Sequence, residues 1–294
     1  MIRVYLTIAV AALAFAVHLA LSPPPIPVLL LHDVKTDRIG YDFWTLHPDR
    51  FREMLDVIDR AGYHGITLEE AARHLQGRLG LDRSARAVLI TVDDGFGSAS
   101  RLVGPELARR GHPAAFFIVG GWKPPEYVGD DDLRALARAG HSIGSHSMTH
   151  SSLNVRGKNV SAEEARITSE LTSSRARLQE VVGTPVIGLA YPKGDWDATT
   201  KRLARGAGYQ LAFTTDQGYL EPGADNMELP RYQLNFDTPM PWIENYVLAP
   251  RRERERNELL AICIAALGML GAFTVHRRGG KQAAPTDPHA KPME

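Results

Sequence analysis

Val88-Leu89-Ile90-Thr91-Val92-Asp93-Asp94-Gly95 is the stretch on which the fold turns. Its first five residues are apolar or β-branched, and two carboxylates and a glycine then stop the run. A short strand that is hydrophobic throughout belongs in a parallel sheet, buried under helices on both faces. The flanking sequence repeats the theme. Short apolar runs at 28–31, 114–119, 142–145, 186–191 and 210–214 alternate with helical patterns at 50–61, 99–110, 131–139, 162–182 and 199–207. This alternation predicts an α/β fold. Pattern alone leaves an open doubly wound sheet and a closed barrel both standing. In a barrel, polar clusters fall at the C-terminal ends of several different strands, and they do so here.

The chain has 294 residues, with 34 Lys and Arg balanced by 34 Asp and Glu. Zero formal charge argues against a nucleic-acid partner, which needs a basic face. The single cysteine, Cys263, excludes a disulfide framework, a Cys-rich zinc site and a CxxC redox pair. Residues 4–21 and 259–275 contain no Asp, Glu, Lys or Arg. Each is near the lower limit of about 17–25 residues for a membrane-spanning helix. A cleaved signal segment is the alternative for the first, but Pro23-Pro24-Pro25 fits a peptidase badly, and a retained anchor is expected. Arg3 before the first run and Arg277, Arg278 and Lys281 after the second set both termini in the cytoplasm. The expected organisation is an anchor at 1–22, a domain at 23–250 outside the cytoplasm, a linker and second membrane helix at 251–278, and a disordered tail at 279–294.

Three strand ends carry chemistry. Asp93-Asp94-Gly95 closes one; by itself this is a common turn device. His146-Ser147-Met148-Thr149-His150 follows another, and a helical turn would set its two imidazoles on one face, as metal binding requires. Two unrelated surface histidines are the bland alternative. Together the clusters offer two imidazoles and a carboxylate for a divalent metal, with a spare Asp to accept a proton from water. The first strand runs into His32, an acid for a leaving nitrogen or, alone, a satisfied rim histidine. Tyr191-Pro192-Lys193-Gly194-Asp195-Trp196 closes a third strand. Its loop can present an N–H to an oxyanion, and Tyr191, Pro192 and Trp196 suit a sugar ring. An ordinary turn with Asp197 as the next N-cap explains it equally.

These motifs resemble those of the polysaccharide deacetylases with a NodB-homology domain, carbohydrate esterase family four. Thr91-Val92-Asp93-Asp94-Gly95 matches the family's Thr-Phe-Asp-Asp-Gly, and His146–His150 its His-Ser/Thr-x-x-His. Pro192-Lys193-Gly194 matches its Pro-aromatic-Gly loop with Lys193 in the aromatic position. The resemblance implies an irregular (β/α)7 barrel, here flanked by two transmembrane helices. It implies Asp93 as general base, Asp94, His146 and His150 as metal ligands, and the Lys193 N–H as oxyanion donor. Leu30-Leu31-His32 comes first instead of last, as in the circularly permuted branch resembling exopolysaccharide poly-N-acetylglucosamine deacetylases. The family's arginine upstream of the third motif is absent, and Arg231 is the candidate to stand beside Asp93 in its place; a surface arginine near a strand is the competing reading.

The expected function is therefore a metal-dependent hydrolase, using Zn²⁺ or else Co²⁺, Ni²⁺ or Mn²⁺. It would remove N-acetyl groups from amino sugars of an envelope or extracellular polysaccharide. Its partners would be the N-acetylated glycan and the membrane; a polysaccharide synthase or export machinery is not specified by the sequence. Deformylation or deacetylation of a lipid-linked amino sugar is the second enzymatic reading. An inactive, membrane-tethered glycan-binding module is the third, disfavoured because every group the reaction needs is present.

Overall fold

The computed structural model describes residues 23–36, 43–80, 86–155 and 159–248, together with Ile264. Pro23–Arg252 forms one compact unit. The two apolar runs read as membrane helices, and the tail at 279–294, lie outside the described residues. Among the described residues no helix is long and apolar enough to cross a membrane.

The chain begins with β1 (Ile26–Leu31), β2 (Asp33–Val34), β3 (Thr45–Leu46) and α1 (Pro48–Arg60). It continues through β4 (His64–Gly65), α2 (Leu68–Leu75), β5 (Ala87–Val92), α3 (Gly104–Arg109) and β6 (Ala115–Ile118). Then come α4 (Asp130–Arg138), β7 (Ser142–Ser145), α5 (Val160–Val182), β8 (Gly188–Ala190), α6 (Ala198–Gly206) and β9 (Leu211–Phe213). β10 (Tyr219–Leu220) and β11 (Tyr232–Gln233) precede a short helical segment over Met240–Trp242 and Ile243–Val247.

Strands β1, β5, β6, β7, β8 and β9 lie side by side in that order, all parallel. Successive strands are joined by helices, the connection a parallel sheet demands. Both faces are covered, so β1 and β5 are buried at every position. On β5, Val88, Ile90 and Val92 join the larger apolar cluster with helix residues such as Phe51 and Met54, while Ala87 and Leu89 join a second cluster with Phe117 and Phe213. The result is an α/β half-barrel. Its two edges are bridged by one segment near the C-terminal end of the unit. Leu229 pairs with Phe213 at the β9 edge, and β11 pairs in parallel with β1, Leu29 opposite Tyr232. Pro230-Arg231 lies between these two pairings.

Local signals account for most elements. α1 starts at Pro48, where a missing N–H costs nothing, and buries Phe51, Met54, Leu55 and Ile58. α2, which the apolar pattern does not reveal, begins with a capping box: Thr67 caps the Glu70 N–H and Glu70 returns to the Thr67 N–H. The expected helix at 99–110 is broken into a wide turn, Ala99–Val103, and the short α3, because Pro105 has no N–H to continue a regular ladder. The helical segment over Met240–Trp242 and Ile243–Val247 is likewise short and irregular.

Gly144 sets how closely β7 can approach the interior. A Cβ there would lie 2.4 Å from Phe117 Cδ1 and 3.2 Å from Gly188 O. Gly144→Ala is therefore expected to lower stability by about 1–3 kcal/mol through overpacking. Urea denaturation checks this; an unchanged midpoint would show that Phe117 swings away freely.

Candidate active site

Each cluster picked from the sequence sits at the C-terminal end of a strand of the curled sheet. Asp93 and Asp94 follow β5, His146–His150 follow β7, the Pro192 turn follows β8, and His32 follows β1. The Asp93 N–H donates to Leu31 O at 2.9 Å, which carries the ladder between β1 and β5 up to the site.

Asp93 is buried, and its partner is Arg231. The guanidinium donates to both carboxylate oxygens at 2.8 Å, a bidentate pair. Arg231 also donates to Thr214 O at 2.8 Å and to Thr91 Oγ1 at 3.2 Å, and it is wholly buried. Its guanidinium carbon lies 5.8 Å and 5.9 Å from the ring centroids of Phe117 and Phe213. Burial pushes the Asp93 carboxyl up, but the Arg231 guanidinium and then His146 outweigh it, holding the group below the ordinary carboxylate range.

Asp94, His146 and His150 converge beside this pair. His146 Nε2 and His150 Nε2 stand 3.4 and 3.5 Å from Asp94 Oδ1. That oxygen is buried and accepts no hydrogen bond. One ligand atom from each residue lies within 4.8 Å of the other two. Four donors around a tetrahedral ion at about 2.0–2.2 Å would be spaced by roughly 3.4 Å, so the three groups fit a divalent cation with a position left open. His146 Nδ1 is 2.9 Å from Ala190 O, a bond that leaves Nε2 free to ligate. Burial and the neighbouring His146 push His150 down to about 4, against the pull of Asp94, which keeps its imidazole neutral as a ligand must be.

The two histidines are not on a helical turn. They occupy an irregular loop in which Ser147 has φ 62° and His150 φ 63°. Gly144 and Ser145 end the strand, and Ser147 Oγ accepts the His150 N–H at 3.0 Å, so a side chain closes the turn that a helical bond would otherwise close. Asp94 and Lys193 also have positive φ, at 71° and 61°. Among the described residues these four are all the non-glycine positive-φ positions, and every one lies in a site loop.

Pro192–Gly194 forms a single tight turn with Lys193 at its exposed apex. No described residue accepts the Lys193 N–H. Tyr191 does not offer its side chain to a ligand: it is fully buried, and its hydroxyl donates to Met227 O at 2.9 Å. Alternation along β8 turns its side chain into the core, correcting the sugar-contact assignment. Pro192 is buried too, while Trp196 is half-buried, stacked on Tyr191 and 5.2 Å from Lys201 Nζ. Asp197 does cap α6, accepting the Thr200 N–H.

His32 lies against Trp44, ring centroids 5.6 Å apart, and its Nδ1 is buried without a partner. Burial lowers its pKa against the opposing pull of Asp93 and Asp94. Two aromatic groups were not read from the sequence. Phe43, Trp44 and Phe236 gather on the His32 side, and Trp122, Tyr127 and Phe96 on the His150 side. Gly120-Gly121-Trp122 directly after a strand end was the available signal for the second group.

Comparison with known proteins agrees with this fold. The family model for polysaccharide deacetylases matches residues 80–212, which span β5 to β9 and leave His32 and Arg231 outside. A Bacillus subtilis (strain 168) protein assigned as polysaccharide deacetylase YxkH is 26% identical over 219 residues, 73% of this chain and 71% of that one. The Streptococcus pyogenes deacetylase PplD, solved with acetate, superposes with a TM-score of 0.69 at 20% identity, covering 78% of this chain and all of that one. IcaB from Ammonifex degensii gives a TM-score of 0.63 at 24% identity, covering 78% and 99%. These likenesses carry the fold.

Removing Arg231 leaves Asp93 as a buried, unpaired charge. Arg231→Met is expected to cost about 3–5 kcal/mol. It should also raise the Asp93 pKa, because the cation that lowers it is gone. The acidic limb of the pH–rate profile then moves to higher pH. Lost stability with an unmoved acidic limb would assign Arg231 to the fold alone.

Proposed function

We propose that this chain, which carries a NodB-type polysaccharide deacetylase domain and is thereby a hydrolase of amide bonds on carbohydrate, removes N-acetyl groups from amino sugars of an envelope or extracellular polysaccharide. The observation that carries this reading is the buried Asp94 Oδ1, which accepts no hydrogen bond and stands 3.4–3.5 Å from two imidazole nitrogens, beside the Asp93–Arg231 pair. Asp94, His146 and His150 would hold a divalent ion, taken here as zinc. When bound, such an ion lowers the pKa of a water and polarises the acetyl carbonyl.

The chain's own groups account for the proton movements. Asp93 Oδ2 lies 3.9 Å from His146 Nε2 and so faces the same space as the ligand atoms. It takes one proton from the attacking water. Arg231 keeps the carboxylate ionised and fixed in direction, at some cost in basicity. The Lys193 N–H, at the positive-φ apex of its turn, donates to the developing oxyanion. His32 donates a proton to the departing amine nitrogen as the carbon–nitrogen bond breaks. Its lowered pKa makes the protonated ring a stronger acid. With one water proton passed to Asp93 and one supplied by His32, water and amide balance to acetic acid and a free amine, and the acid then ionises to acetate in water. Acetate is also what the Streptococcus pyogenes relative was solved with.

The aromatic groups beside His32 and His150 supply flat apolar faces of the kind sugar rings stack on. The apolar runs at 4–21 and 259–275 support a membrane-tethered enzyme with this domain outside the cytoplasm.

Chelation of the full-length protein should abolish acetate release from N-acetylglucosamine oligomers, and Zn²⁺, Co²⁺ or Mn²⁺ should restore it. His146→Ala should lose both ion and activity; a fully active, ion-free His146→Ala protein would falsify the site. Asp93→Asn should bind the ion but turn over about 10²–10⁴ times more slowly. Near wild-type turnover in Asp93→Asn would reduce Asp93 to a turn residue. Turnover confined to lipid-linked amino sugars would replace the polymer by the second substrate.

A further inference from the structure

One stripe of α5 grips the His146–His150 loop along its whole length. Arg166, Glu170 and Ser174 are spaced four residues apart, so they stand in a row on one side of the helix. Ser174 Oγ is 2.8 Å from Ser145 Oγ, which itself accepts the Ser147 N–H at 3.2 Å. Arg166 donates to Ser152 O at 3.0 Å, beyond the loop's other end. Between them Glu170 makes three contacts. Its Oε2 accepts the Met148 N–H at 2.9 Å and the Thr149 N–H at 2.8 Å, and its Oε1 accepts the Thr149 hydroxyl at 2.7 Å.

The opposite side of the same peptides is fixed by the segment after β6. Gly120 N–H donates to Ser147 O at 3.0 Å and Gly121 N–H to Met148 O at 2.8 Å. The Ser147 and Met148 carbonyls are therefore held by the segment after β6, and the Met148 and Thr149 amides by a single carboxylate. Ser147 and His150, at positive φ on either side of the Met148-Thr149 pair, are in strained conformations that persist only when their surroundings impose them. Charge-assisted bonds from backbone N–H to a carboxylate are among the stronger ways to impose them.

We infer that Glu170 is a positioning residue that presents His150 to the ion: its carboxylate, caught between two backbone amides and a hydroxyl, holds the strained loop in the one shape that brings His150 Nε2 to Asp94. This rests on the reading that Asp94, His146 and His150 bind a divalent ion. Glu170 touches none of those three side chains. Its effect passes through the backbone of Met148 and Thr149, and ion affinity is what it governs.

The test is Co²⁺ titration of the metal-stripped full-length protein, followed by the visible absorption of the bound ion, with thermal unfolding of the ion-free protein measured alongside. Glu170→Ala is expected to weaken Co²⁺ binding by about tenfold or more, in the range typical of removing groups that orient ligands. Glu170→Asp keeps the charge and the helix but withdraws the carboxylate by one methylene, and should also weaken binding and alter the absorption. Glu170→Gln retains an oxygen for both N–H groups and should stay within about threefold of the parent. Glu164→Ala, which removes an ion pair with Arg202 elsewhere on α5, is the unaffected control. Wild-type Co²⁺ affinity in Glu170→Asp, or in folded Glu170→Ala, overturns the inference and leaves the metal site standing. A wild-type protein that takes up no Co²⁺ overturns the metal site and this inference with it.

Discussion

The ion pair between Arg231 and Asp93 is the interaction on which both the fold and the site depend. Arg231 stands in the segment that spans the two edges of the half-barrel. Its guanidinium reaches β5 through Thr91 and Asp93 and the β9 end through Thr214, so one side chain ties three parts of the sheet together. Burying two charges yields little net stability, while losing either partner is costly. The pair therefore acts as a constraint more than as a source of stability. It fixes the direction of the Asp93 carboxylate and keeps it ionised inside the protein.

Around that fixed carboxylate the three site loops are held in unfavourable backbone shapes. Asp94, Ser147, His150 and Lys193 have positive φ without being glycine. These conformations bring the Asp94 carboxylate and the His150 ring within 3.5 Å of each other. The regular parallel sheet below supplies the rigidity that lets such loops persist, which is why the working groups come from the ends of β1, β5, β7 and β8 rather than from one element.

Much of this was legible because it is local. An unbroken apolar run ending in Asp93-Asp94-Gly95 marks a buried parallel strand and its polar end within eight residues. The spacing of His146 and His150 identified both imidazoles, yet the helical turn assumed for them was wrong; no sequence rule specifies a loop whose amides are satisfied by Glu170, twenty-two residues after Met148. Tyr191 read as a sugar contact because it is aromatic and near a loop, whereas strand alternation through Ala190 points it into the core. α2 was overlooked although Thr67-Leu68-Glu69-Glu70 carries a capping box in plain view. Arg231 could be named but not placed, since its partner lies 138 residues away and only the closing of the sheet brings them together.

The central claim is that Asp94, His146 and His150 together hold the ion at which acetamido groups are hydrolysed. Anomalous X-ray diffraction at the zinc edge, on crystals of protein whose acetate release has been verified, measures this most directly. The account predicts one peak per chain, about 2.0–2.2 Å from Asp94 Oδ1, His146 Nε2 and His150 Nε2. Active crystals with no peak at these three atoms, or with the ion bound elsewhere, would contradict it.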